Sequence, residues 1–219
     1  VVAGGNRYTL RDVAESAKAL FRFDVSDFNR YEKNFSTEHL PWTLIAFSII
    51  VPPAAPTWAN AYGETVNLPE VVDRTAGDFE HRCEVMENVQ PKDEFIDDAA
   101  RKAFGDYFPC LGGHALYSYV SLVKHGFKGQ KLKERVAEML DLAAYRMRKE
   151  PEAIDREYSM AAAAPFPPEL TREMARFGAT QAVFTEMSRL RQQIKLLGHL
   201  LESVNFARLH RLYTFTPEQ

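Results

Sequence analysis

Residues 183–204 read VFTEMSRLRQQIKLLGHLLESV, and the apolar residues Val183, Met187, Leu190, Ile194, Leu197, Leu201 and Val204 step through them by 4, 3, 4, 3, 4 and 3. At 3.6 residues per turn that spacing lines all seven along one stripe of a helix, a seam suited to pairing with a second helix. Arg189, Arg191, Lys195 and Glu202 flank the seam, whereas Phe184, Leu196 and Leu200 widen its apolar face. The widening predicts packing inside a bundle rather than an exposed zipper. Gly198, beside the seam, either permits close helix approach or marks a weak point. The helix is expected to run from about Thr180 to Arg211, and Phe206, Leu209, Leu212, Tyr213 and Phe215 predict a docked C-terminal end.

The same periodicity recurs upstream, and alternating runs of strand type are nearly absent, so the chain reads as all-α: an irregular multi-helix bundle with a long C-terminal helix. Thr9 is placed to cap a helix to about Arg22, striped by Leu10, Val13, Ala14, Ala17, Leu20 and Phe21. A short helix is expected over Asp24–Asn34, capped by Ser26, and Ser36 is placed to cap the next. That next helix contains Trp42–Val51 (WTLIAFSIIV), the most apolar stretch, inside a run from Leu40 to Gly63 without a charged residue. Pro41 and the Pro52-Pro53 pair limit it to eleven residues, about 16 Å. That is about half of a bilayer core, so it predicts a central buried helix and no transmembrane span.

Residues 52–68 form a proline-rich connection, packed down by Trp58 and Tyr62 or itself a working part. Pro69 opens a helix to about Glu87 with Val72, Ala76, Phe79, Cys83 and Met86 in one arc. Pro91 is expected to open another to about Phe104, with Phe95, Ile96, Ala99, Ala103 and Phe104 inward. Gly112-Gly113 precedes a helix to Lys124, and a longer one follows over about Gln130–Lys149, ended by Pro151. Met160–Pro168 (MAAAAPFPP) marks a boundary between a helical bundle over 1–164 and a C-terminal helical segment over 165–219 that packs on the same domain.

The 219 residues are 46% apolar and 26% charged with a net charge of −3, which describes a folded globular chain and argues against a surface built for nucleic acid. Two cysteines, Cys83 and Cys110, make no disulfide framework, and a reducing, cytoplasmic setting is expected. The opening Val1-Val2-Ala3-Gly4-Gly5 lacks the regions of a signal peptide and begins without Met, as in a processed chain or a piece of a larger, membrane-associated protein or complex.

Charge is distributed unevenly. Residues 1–110 carry −7 and residues 111–219 carry +4; Glu64–Asp106 holds 12 acids against 5 bases, and Lys124–Lys149 holds 8 bases against 3 acids. Lys124, Lys128, Lys131, Lys133 and Arg135, around flexible Gly126 and Gly129 and the aromatic Phe127, form a candidate surface for an acidic partner or an anionic membrane surface. The competing reading turns them towards the acidic segment of the same molecule, or makes them simply a solvated face.

No phosphate-binding loop, dinucleotide glycine fingerprint, Cys-x-x-Cys pair or nucleophile elbow is present, and no cofactor or metal is expected. His81-x-x-Glu84 and His199-x-x-Glu202 have metal-pair spacing but fall off their apolar stripes, so they read as solvated faces. Cys110 and His114 stand four apart before a helix, an arrangement that can activate a thiol, although no orienting group accompanies them. The expected function is therefore protein–protein interaction, as a cytoplasmic adaptor or the soluble domain of a larger assembly. The alternatives are a helical enzyme or small-ligand binder with its pocket near Cys110, His114, Phe104, Tyr107 and Tyr117, and peripheral membrane contact through Trp42–Val51 or the basic segment.

Overall fold

A computed structural model describes residues 2–3, 5–23, 39–94 and 97–215. In chain order they form β1 (Val2–Ala3), β2 (Asn6–Arg7), α1 (Leu10–Leu20), α2 (His39–Ile50), β3 (Thr57–Ala59), β4 (Thr65–Asn67), α3 (Leu68–Val89), α4 (Asp98–Tyr107), α5 (Gly113–Lys124), α6 (Leu132–Ala163), α7 (Pro168–Arg176) and α8 (Gln181–Leu209). The fold is all-α, ornamented by two small antiparallel hairpins, β1–β2 and β3–β4. The expected Asp24–Asn34 helix, the Ser26 and Ser36 caps, and Phe95 and Ile96 lie outside the described residues.

Helix starts follow local chemistry. Thr9 caps α1 reciprocally with Asp12, its Oγ1 accepting from the Asp12 N–H at 3.2 Å while Asp12 Oδ2 accepts from the Thr9 N–H at 2.7 Å. Thr180 caps α8 and Asp97 caps α4 in the same way from one side. Pro91 does not open a helix: it sits in a 3₁₀ turn at Gln90–Lys92, and α4 starts seven residues later, leaving Ala99 and Ala103 exposed.

Pro151 does not end α6 either, which continues through it to Ala163. Proline removes one donor and crowds one carbonyl. Packing on both sides of that single defect keeps the helix going, with Glu150, Ala153 and Ile154 all buried.

The central element is α5, which touches α2, α3, α6 and α8. Its small residues Ala115, Ser118 and Ser121 let neighbours approach closely, and Ser121 Oγ meets Ser48 Oγ of α2 at 2.7 Å. The expectation that Trp42–Val51 would be central is thus corrected. Leu40, Leu44 and Phe47 of α2 are buried on α5, while Trp42 and Ile49 face solvent. An apolar helix packed on α5 along one side, with Phe21 and Trp58 against Phe47, leaves its opposite side in solvent.

The 52–68 connection is packed down rather than loose. Trp58 pairs with Val66 across the β3–β4 hairpin, donates its indole N–H to the Lys18 carbonyl at 2.8 Å, and stacks edge-on with Phe47. The Val72, Ala76, Phe79, Cys83 and Met86 arc of α3 is buried as its spacing predicts. A continuous core runs from Phe21 through α2, α3, α5 and α6 to Leu196, Leu200 and Ala207 of α8, so residues 165–219 share the core of residues 1–164.

Candidate functional site

Helix α8 carries two apolar faces. Thr185, Leu196, Leu200, Ser203 and Ala207 are buried against α5 and α6. Ser203 Oγ donates to the Gly113 carbonyl at 3.3 Å, Arg189 Nη1 to Asp155 Oδ1 at 2.6 Å, and Gln193 Nε2 to Asp155 Oδ1 at 2.9 Å. These contacts fix the rotation of α8, and the 183–204 seam lies about 120° away around the helix.

The expectation of a seam packed inside the bundle is corrected accordingly. Met187 is 66% and Ile194 70% exposed. Val183, Leu190 and Leu201 are exposed as well, and Leu197 and Val204 are half-buried. The widening residues Leu196 and Leu200, rather than the seam, face the core. The reason is the small side of the helix: Ser203 and Ala207 let α5 come close, which the bulkier seam would prevent. The exposed stripe spans about 31 Å.

Of the basic segment, Arg135 turns inward to the acidic helix α3. It grips Glu80 through two hydrogen bonds of 2.6 and 2.8 Å and approaches Asp73 Oδ1 at 3.4 Å. The hydrogen bonds it donates to Glu80, with the charges of Glu80 and Asp73, raise its pKa above the ordinary arginine value. Asp73 Oδ1 also accepts from the Gln130 N–H at 2.8 Å. Phe127 is buried. Lys124, Lys128, Lys131 and Lys133 remain exposed on the surface. Arg135 thus follows the intramolecular reading, and the four lysines do not.

At the N-terminal end of α5 the chain makes a tight corner. Cys110 and Leu111 hold left-handed backbone angles (φ 53° and 54°), and Gly112 follows at 78°. The thiol of Cys110 is half-buried. Sequence proximity brings His114 to it, and the packing of α8 brings His199: one ligand atom from each of the three lies within 4.8 Å of the others. The rings of His114 and His199 meet edge-to-face at 4.3 Å between centroids, and Trp42 covers His114 at 4.6 Å. His199 Nδ1 faces Glu202 Oε2 at 3.7 Å.

His199 was legible only as part of a solvated His-x-x-Glu pair, because it lies off the seam. The face it occupies is the one packed on α5, which no local pattern specifies. By contrast His81 and Glu84 are exposed and hydrogen-bond each other at 3.0 Å, as read.

Cys110 helps to line a cleft of about 450 Å³, but of the residues expected around a pocket there it is the only one that does so, and the walls are mostly charged or polar, with Arg101, Lys102, Asp106, Glu157 and Lys195 among them. Phe104 and Tyr107 belong instead to an aromatic cluster with Phe79 and Phe108, and Tyr117 packs on Phe206. Arg82 lies over the Tyr107 ring at 3.2 Å, and burial with Asp78 nearby pushes that phenol up to about 12. No helix among the described residues is long and apolar enough to cross a membrane. Comparison of the chain with protein-family models, with curated proteins and with solved structures gives no match.

Proposed function

We propose that the protein is a protein–protein interaction module, a cytoplasmic adaptor or the soluble domain of a larger assembly, that binds an amphipathic helix with acidic flanks along the exposed 183–204 seam. The observation that carries this reading is the solvent exposure of Met187, Ile194 and Leu201 at heptad spacing on a helix whose other face is already packed. Exposed apolar stripes of this length mark interaction surfaces, and helix-in-groove partners read them at intervals of three and four.

Charge selects the occupant. Residues 183–211 carry five basic side chains, Arg189, Arg191, Lys195, Arg208 and Arg211, against two acids, Glu186 and Glu202, and with Arg189 held by Glu186 and Asp155 the basic excess rests on Arg191, Lys195, Arg208 and Arg211. A second copy of the same helix would oppose like charge to like, whereas an acidic partner gains. Lys124, whose ammonium lies 5.6 Å from the Phe206 ring centroid, extends the basic character towards the end of α8. Two free thiols, Cys83 and Cys110, support a reducing compartment.

The test is calorimetric titration of the full chain with two synthetic heptad helices, Leu/Ile at the pairing positions and either Glu or Lys on the flanks. The acidic helix is expected to bind and the basic one not to. Binding should weaken as salt rises from about 0.05 to 0.5 M. Met187→Glu or Ile194→Glu, both at exposed positions, should lower affinity about tenfold or more. Failure of the acidic helix to bind, binding unaffected by Ile194→Glu, or a dimer in sedimentation that Ile194→Glu dissolves would each overturn the assignment.

A further inference from the structure

We propose that Cys110, His114 and His199 form a binding site for one zinc ion. A thiol and two imidazoles are the donor types that zinc takes, and they discriminate against magnesium and calcium, which require oxygen. The ligand atoms lie within 4.8 Å of one another. A tetrahedral ion with Zn–S of about 2.3 Å and Zn–N of about 2.0 Å brings its ligands to about 3.3–3.5 Å, a closure of up to about 1.5 Å that side-chain rotation supplies.

The surroundings hold the three residues together independently of any ion. A Cβ on Gly113 would stand 2.4 Å from the Cβ of His199, so glycine there is what lets α5 and α8 meet at this point. Ser203 Oγ ties the Gly113 carbonyl to the same turn of α8. Cys110 and Leu111 are kept in left-handed backbone, a conformation that costs a non-glycine residue about 1 kcal/mol or more and that recurs at binding sites. Here it carries the thiol round to the histidines.

Glu202 stands 3.7 Å from His199 Nδ1. A side-chain rotation that closes this gap to a hydrogen bond would let the carboxylate orient the ring and leave the other nitrogen for the metal, the usual arrangement around zinc-bound histidine. Trp42 covers the outer side of His114. Three protein ligands leave a fourth position for water or a small anion, and the charged cleft of about 450 Å³ adjoins Cys110. This inference is independent of the α8 seam.

The experiment uses the full chain freed of metal by chelation, titrated with Co²⁺ as an optical stand-in and then with Zn²⁺ in competition. One cobalt per chain is expected, with a thiolate-to-cobalt charge-transfer band and visible bands of tetrahedral intensity, both erased by one equivalent of zinc. Cys110→Ser should abolish the charge-transfer band while Cys83→Ser retains it. His199→Gln should weaken zinc binding more than His81→Gln, which should leave it unchanged, and Glu202→Gln should weaken it about tenfold. Circular dichroism confirms that each variant is folded. The wild-type spectrum decides the matter without any variant: absence of a thiolate band at equimolar cobalt overturns the proposal. So does a thiolate band that survives Cys110→Ser.

Discussion

A Cβ added at Gly113 would meet the Cβ of His199 at 2.4 Å, whereas one added at Gly198 would meet nothing within 4 Å. The two glycines thus serve opposite ends. Gly113→Ala must push α5 from α8 or twist the α5 terminus, and is expected to cost about 1–3 kcal/mol. Gly198→Ala removes backbone freedom from a helix interior without a clash and is expected to stabilise by about 0.5–1 kcal/mol. Urea unfolding of both variants checks the opposite signs. Sequence reading left Gly198 between close approach and weak point, and open space around it decides for the latter. Gly113 was legible as a helix-start glycine but not as a contact, since its partner lies 86 positions away and nothing local announces it.

At the scale of the element, α6 passes two features that would each be expected to break or burden a helix. The first is Pro151 within the helix. The second is a buried ion pair one turn before it, Arg146 to Glu150, with hydrogen bonds of 2.5 and 3.2 Å and side chains 2% and 0% exposed. The guanidinium also lies 4.8 Å from the Phe104 ring centroid. Glu150→Ala leaves a buried positive charge without its partner and is expected to cost about 3–5 kcal/mol, while the double variant Arg146→Met with Glu150→Leu recovers most of that loss. Thermal and urea unfolding of the single and double variants checks this, and a double variant as unstable as the single one would contradict it.

Helix identity was legible here because periodicity is intrinsic to the local sequence. The end of α6 was not, because a proline's penalty is offset by packing that only the folded chain supplies. Likewise the seam of α8 was correctly found as a stripe, but its direction was set by Ser203 and Ala207, whose small size matters only opposite α5.

Across the whole molecule, the opposite charges of the two halves partly meet within the fold, as Arg135 on α6 reaches Glu80 and Asp73 on α3. Lys149 joins that meeting at Asp93, at 2.7 Å, while Lys124, Lys128, Lys131 and Lys133 stay exposed, so charge asymmetry counted along the chain divides in space into a structural and a surface share. The core likewise ignores the alanine–proline boundary at 160–168: Leu196, Leu200 and Ala207 belong to it with Leu116 and Leu140. Unfolding is therefore expected to be one cooperative transition, with far-ultraviolet and near-ultraviolet circular dichroism superimposing. Two separated transitions would show that the C-terminal segment folds as its own unit.

The two tryptophans sit in contrasting surroundings, Trp58 half-buried against Phe21 and Phe47 and Trp42 more exposed with its ring on His114. The two indoles are therefore expected to emit at different wavelengths, and the longer-wavelength share, from the more exposed Trp42, is expected to change when an ion draws His114 towards His199 and Cys110, with Trp58 as the reference in the same cuvette.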